Sequence, residues 1–197
     1  MSRIPGTLRL FFALQPQLEQ SASLVERVTP LVARLEAQRV PAENLHTTLC
    51  FIGAVAPEQL QRLQSVAASV RGRHASLRFD TLEHWQKPRV LCATAVENSG
   101  SAPACGLAEA LAAAAIEAGF TPDVKPFRAH LTLARKVHPA LAVPCELPQP
   151  LTPPLLVHCD RFVLMESRRG ESGSIYSAVD SWPLYADDTD SWPANIQ

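Results

Sequence analysis

Two short stretches of the chain read almost alike, His46-Thr47-Thr48-Leu49 and His130-Leu131-Thr132-Leu133. Each places a threonine two positions after a histidine and a leucine directly behind it. A histidine gives or takes a proton near neutral pH, and a threonine hydroxyl can hydrogen-bond whatever the histidine acts on. Two copies therefore suggest an acid and a base facing each other. Residues two apart on a strand share a face, so His46 projects with Thr48 and His130 with Thr132, while Thr47 points away and is expected to take no part. If pseudo-symmetry sets the two strands side by side, the four side chains line one cleft, with imidazoles at its ends and hydroxyls between. Such a cleft suits a tetrahedral anion. Phosphodiester hydrolysis needs a base for the attacking water and an acid for the leaving oxygen on the far side of phosphorus. Each well-placed proton transfer is worth about 10² to 10⁴ in rate, and hydroxyl donors steady the charge on the non-bridging oxygens.

The remaining histidines, His74, His84, His138 and His158, lack the threonine and read as structural. The motif histidines could instead hold a metal with Glu43 and Asp160. Two imidazoles are too few alone, however, and no H-E-x-x-H or equivalent spacing is present. No metal and no cofactor is expected.

The elements that must position these residues follow from periodicity. Arg9 to Leu14 reads as a strand, and Leu24, Val28, Leu31, Val32 and Leu35 then fall at helical spacing. Leu45 to Ile52 forms a strand ending at Gly53, which puts the first motif on a strand. Pro57 to about Val70 repeats the helical pattern, with proline suited to a first turn. Leu77 to Trp85 and Val90 to Val96 read as an antiparallel pair, Leu107 to Ala118 as an alanine-rich helix stopped by Gly119, and His130 to about Val137 as the strand of the second motif. Pro139 to Pro154 is too rich in proline for regular structure and reads as a loop. Leu155 to Ser167 and Ile175 to Val179 look like a closing hairpin around Gly170 to Gly173. Strand, helix and strand thus recur in two halves of an α+β domain with approximate internal two-fold symmetry, its strand order left open.

Composition is that of a soluble globular protein: 197 residues, 47% hydrophobic and 19% charged, with a mean hydropathy of +0.01. One domain over residues 1–197 is expected, with a core at about 8–184 and a flexible tail at 185–197 carrying Asp187, Asp188 and Asp190. The apolar run Leu10 to Leu14 is better read as a core strand than as a signal peptide, since Arg9 interrupts it and no convincing cleavage site follows. Five widely spaced cysteines without C-x-x-C pairs point to reduced thiols and a cytoplasmic location. A net charge of −1 excludes the global basic field of a protein that coats nucleic acid. Phosphate recognition must be local, and Lys125, Arg128, Arg135 and Lys136 do bracket the second motif.

Longer stretches around the motifs resemble a known family. Arg9-Leu10-Phe11-Phe12-Ala13-Leu14, Glu43 to Leu49 with Phe51-Ile52-Gly53 behind it, Phe127 to Lys136, and Glu166-Ser167, Gly173 and Tyr176 are similar to the 2H phosphoesterase superfamily. Within it they look like the bacterial and archaeal RNA 2′,3′-cyclic phosphodiesterases, also called 2′-5′ RNA ligases. The resemblance runs from Arg9 to about Leu184. It implies a bilobal α+β fold, two pseudo-two-fold-related lobes with antiparallel sheets around a central cleft and helices outside. It also implies metal-independent opening of RNA 2′,3′-cyclic phosphate ends to 2′-phosphomonoesters, with His46 as proton donor and His130 as proton acceptor. Thr48 and Thr132 would hold the phosphate oxygens, and the reverse reaction would make a 2′-5′ linkage. Arg135 matches a family arginine that helps neutralise phosphate, although strict alternation turns it away from His130 unless a bulge intervenes. Phe12 matches an aromatic near the family's cleft, where it would stack on a nucleobase, the equal alternative being that it is a core residue. The expected partners are RNA ends or nucleotides bearing the cyclic phosphate, with no membrane, and the expected state is a monomer, because one chain supplies both halves of the site. The rival reading is a module that binds RNA ends or nucleotides without turnover.

Overall fold

The computed structural model describes residues 6–95, 100–170 and 173–186. In chain order its elements are β1 (Leu8–Leu14), α1 (Leu18–Arg34), β2 (Gln38–Arg39), β3 (Thr47–Val55), α2 (Leu60–Ser69), β4 (Ala75–Trp85), β5 (Val90–Ala95), α3 (Ala102–Glu117), β6 (His130–Arg135), α4 (Pro139–Ala142), β7 (Gln149–Cys159), β8 (Arg161–Gly170) and β9 (Gly173–Pro183). The strands make two antiparallel sheets, one in the order β3-β1-β8-β9 and the other β2-β6-β5-β4-β7. The fold is the bilobal α+β arrangement with two antiparallel sheets.

Two copies of one unit carry the motifs. β1-α1-β3 and β5-α3-β6 are each a pair of adjacent antiparallel strands joined through a helix. Each helix reaches across to the other sheet: α1 packs on β2, β6 and β7, whereas α3 packs mainly on β3 and also touches β4 of its own sheet. The lobes are thereby interlocked. α1 turns Leu24, Val25, Val28, Leu31 and Val32 inward, and α3 turns Ala104, Leu107, Ala108, Leu111 and Ala115 inward, the one-sided stripe that 3.6-residue periodicity produces. α3 stops at Gly119, whose φ of +82° is open to glycine at little cost.

The main core collects one face of each sheet, with Leu10, Phe12, Leu14, Leu77, Phe79, Leu91 and Phe162 fully buried. Burial of each such side chain contributes about 1.5–3 kcal/mol. A smaller cluster of Phe11, Ala13, Val163 and Met165 lies on the other face of the first sheet, with Phe51 and Tyr176 against it. No helix among the described residues is long and apolar enough to cross a membrane.

Several boundaries differ from the sequence reading. The proline-rich stretch is not all loop: α4 forms within it, and β7 begins at Gln149 and includes Pro150, Pro153 and Pro154. β7 is an edge strand, where a residue without an N–H leaves no ladder bond unmade on the open side. The run from Leu155 to Ser167 is not one strand either. It divides at Asp160, sending β7 to one sheet and β8 to the other, so the closing hairpin is β8–β9. His46 sits just ahead of β3, after a 3₁₀ turn at Ala42–Asn44, and α3 starts five residues before Leu107. Tyr185, expected in the tail, belongs to the fold, since its amide donates to the Gly72 carbonyl at 3.0 Å and its carbonyl accepts from the His74 amide at 2.8 Å. Val96, residues 171–172 of the expected turn and residues 187–197 of the expected tail lie outside the described residues.

Candidate active site

The two motif strands bulge at the same place. β1 pairs Phe12 with Cys50 and Ala13 with Thr48, which leaves Leu49 as an extra residue. β5 pairs Leu91 with Ala134 and Cys92 with Thr132, leaving Leu133 extra in the same way. An extra residue shifts the alternation of side chains by one. Leu49 with Cys50, and Leu133 with Ala134, therefore both turn into the core. The residue five positions after each histidine, Phe51 in one half and Arg135 in the other, returns to the face of the histidine and threonine. Arg135 reaches the cleft by this bulge.

His46, Thr48, Phe51, His130, Thr132 and Arg135 line one cavity of about 380 Å³. Within it the imidazoles are anchored alike. The Nδ1–H of His46 donates to the carbonyl of Asn44 at 2.7 Å, and that of His130 to the carbonyl of Arg128 at 2.8 Å. A carbonyl only accepts, so Nδ1 carries the proton in both rings and Nε2 is the unprotonated nitrogen of the neutral ring. Each ring also has an aromatic neighbour. Phe11 and Tyr176 lie 4.9 and 4.8 Å from His46, and Trp85 lies 4.5 Å from His130, between ring centroids.

Burial governs the protonation of the pair. It is the largest cause holding His46 down from 6.5 to about 4, opposed by the bond to Asn44 and reinforced by the charges of Arg135 and His130. Burial likewise lowers His130, against the bond to the Arg128 carbonyl and with help from the Arg128 and Arg135 guanidinium groups. Both imidazoles are thus neutral at pH 7, and an anion between them would favour protonation.

Supporting contacts come from both lobes. Arg135 Nη2 donates to the Tyr176 hydroxyl at 3.1 Å, linking β6 to β9 across the cleft. The Thr47 hydroxyl donates to the backbone carbonyl of His130 at 3.1 Å, so this residue, expected to be uninvolved, fastens the first motif to the second. Glu83 accepts from Trp85 Nε1 at 2.9 Å, from the Thr94 hydroxyl at 3.0 Å and from Arg128 Nη2 at 2.7 and 2.8 Å, a set that fixes the surroundings of His130. Cys92 lies 3.9 Å from the Thr132 hydroxyl, and burial pushes its thiol up to about 12, so it stands there as a neutral group.

One expected residue does not reach the site. Phe12 is fully buried in the main core, its ring 6.1 Å from those of both Phe162 and Trp182. Leu10, Phe12 and Leu14 share the core face of β1, and the aromatic on the cleft face is Phe11. His74, His84, His138 and His158 lie outside the cavity, as do Glu43 and Asp160. His158 Nδ1 is within 2.9 Å of the Ser76 hydroxyl. Among the described residues no three His, Cys, Asp or Glu side chains are grouped to hold a metal ion. The sequence reading also passed over Phe11, Phe51, Trp85 and Tyr176 as cleft residues. Strand alternation alone could have found Phe11.

Two interlocked lobes, each presenting a His-x-Thr pair to a shared cavity, define a phosphoesterase. The chain belongs to the LigT-like phosphoesterase family, whose model matches residues 13–92 and again 97–176, once in each half. It is 32% identical over 190 residues to the RNA 2′,3′-cyclic phosphodiesterase of Thermus thermophilus, covering 90% of each chain. It is 29% identical over 139 residues to the Escherichia coli protein of the same name, covering 69% of this chain and 76% of that one. Its fold is similar to the crystal structure of E. coli LigT complexed with 3′-AMP, with a TM-score of 0.77 at 25% identity and coverage of 90% of this chain and 98% of that one. The protein is accordingly a phosphoester hydrolase.

Proposed function

We propose that the chain opens RNA 2′,3′-cyclic phosphate ends to 2′-phosphomonoesters without a metal, acting as a monomer in the cytoplasm. The carrying observation is the pair of imidazoles with Nδ1 anchored in the same way and Nε2 free in one cavity. His130 takes a proton from water as the water oxygen attacks phosphorus. The P–O3′ bond breaks on the far side, and His46 protonates the departing 3′ oxygen. Thr48, Thr132 and Arg135 hold the non-bridging oxygens as charge builds on them. Two rings, Phe11 and Tyr176, stand beside His46 against one, Trp85, beside His130, which favours placing the nucleoside that bears the leaving oxygen on the His46 side. Phe11 takes the stacking role proposed for an aromatic here. Read backwards, with a 5′-hydroxyl as the other reactant, the same groups would make a 2′-5′ linkage.

Relatives named as RNA 2′,3′-cyclic phosphodiesterases support the substrate class. The test is turnover of adenosine 2′,3′-cyclic phosphate followed by phosphorus NMR in excess chelator. His46→Ala and His130→Ala should each lower the rate by about 10² to 10⁴ with circular dichroism unchanged. Near-normal turnover by either variant, or tight binding of unaltered substrate by the wild type, would overturn the reading.

A further inference from the structure

We infer that the outer end of the cavity, built from Arg9, Ser167 and Ser174, is a second phosphate subsite that takes the phosphodiester on the 5′ side of the terminal nucleotide. The inference rests on the proposed action at cyclic phosphate ends. All three residues line the same cavity as the histidines.

Three neighbouring strands change character at this end of one sheet face. On β1 the cleft face runs Ala13, Phe11, then Arg9. On β8 it runs Val163, Met165, then Ser167, with Met165 paired to Phe11. On β9 it runs Ala178, Tyr176, then Ser174, with Tyr176 paired to Ser167 and Ser174 one step further out. The apolar stretch ends on all three strands within about one residue pair, and hydroxyls and a guanidinium follow. Thr48 is opposite Ala13 at the catalytic end and Phe11 is the next cleft residue outward, while Tyr176, one level further out beside Ser167, turns its ring back to within 4.8 Å of the His46 ring. A nucleoside lying against these rings would have its cyclic phosphate at the threonines and its 5′ oxygen at Arg9. Arg9 Cα is about 13 Å along β1 from the level of Thr48, at roughly 3.3 Å per residue.

Arg9 is free to serve. It is exposed, its guanidinium lies over the Phe51 ring at 4.8 Å from the centroid, and among the described residues it forms no ion pair with a carboxylate. Stacking on Phe51 holds the guanidinium plane beside the nucleoside level, and its N–H groups suit a phosphate better than a lysine ammonium would. Ser167 and Ser174 add neutral donors of the kind that grip phosphate oxygens.

The experiment compares kcat/KM for adenosine 2′,3′-cyclic phosphate, its 5′-phosphorylated form and the dinucleotide ApA ending in a 2′,3′-cyclic phosphate. Both substrates with a 5′ phosphate should be preferred by about ten-fold or more, the usual effect of one or two charge-assisted hydrogen bonds. Arg9→Gln and the double variant Ser167→Ala with Ser174→Ala should each reduce that preference, and Arg9→Lys should keep part of it. Because the readout is a ratio within one enzyme, a change in overall activity does not disturb it. Equal efficiency on all three substrates, or a preference that Arg9→Gln leaves intact, would overturn the subsite while leaving cyclic phosphate hydrolysis standing. A gain confined to the 5′-monoester would overturn the assignment to an RNA chain. Failure to open any of the three would overturn the proposed activity itself.

Discussion

The hydroxyl of Thr47 donates to the backbone carbonyl of His130, so a residue inside one motif holds the main chain of the other. The bond joins β3 of one sheet to β6 of the other, at a stretch of β6 that β2 does not cover, since β2 pairs only with Ala134 and Arg135. Thr47 is 1% exposed, so the hydroxyl that serves the His130 carbonyl lies inside the protein. Thr47→Val should destabilise the protein by about 1–3 kcal/mol through that unpaired carbonyl. It should also lower kcat by roughly ten-fold or more with KM little changed, because it releases the spacing of the two imidazoles. Thr47→Ser keeps the donor and should recover most of the loss. A kcat for Thr47→Val equal to wild type would show that the bond holds the fold alone.

The pH dependence follows from the lowered histidines. Catalysis by the proposed route needs His46 protonated and His130 neutral, so activity falls when pH rises far enough to strip His46 and when it falls far enough to protonate His130. In the free enzyme both groups lie below 6.5, with His46 at about 4. The optimum in kcat/KM should therefore be on the acid side of pH 6.5, with apparent values that belong to the pair. The alkaline limb in kcat should lie higher, because a bound anion favours the imidazolium. Arg135→Gln removes a positive charge that depresses both rings, so both limbs in kcat/KM should move to higher pH. Limbs that do not move would rule out Arg135 as a neighbour of the titrating pair.

Glu83 does not line the cavity but holds two neighbours of His130. Its carboxylate fixes the Arg128 guanidinium and the Trp85 indole, and the Arg128 carbonyl receives the His130 Nδ1–H. Glu83→Gln leaves the Arg128 charge uncompensated beside His130, which should move the limb of the kcat/KM profile that His130 sets to lower pH and reduce kcat several-fold. A combined Glu83→Gln with Arg128→Gln should return the limb toward its wild-type position. Profiles measured for the two variants and the wild type decide this directly.

Spacing alone made the four motif residues legible, because a strand forces His46 with Thr48 and His130 with Thr132 onto common faces. α1 and α2 were legible for the same reason, their apolar stripes being local, and α3 from its alanine content. Arg135 was legible only through the family resemblance, since the bulge that turns it depends on how β5 pairs with β6, and pairing is not a property of either segment. The choice between Phe11 and Phe12 was open to alternation: Leu10, Phe12 and Leu14 form an apolar row, and Phe11 sits in the row with Arg9. Similarity of residue type drew attention to the wrong neighbour. The contact of Arg135 with Tyr176 and the bond from Thr47 to His130 cross between lobes, and no local pattern announces them. β7 hid because its prolines are tolerated only where a strand has an open edge, which strand order decides.

The paired bulges lengthen the repeated word. Each copy runs on past its leucine to a sixth position that faces the cavity, and there the copies part: Phe51 in one, Arg135 in the other. A cavity built only from matching histidines and threonines would look the same from either end, and a phosphate could enter it in two equivalent orientations. The sixth position, with Phe11 and Tyr176 beside one histidine and Trp85 beside the other, gives the cavity a head and a tail, as the proposed substrate, which has a direction, would require.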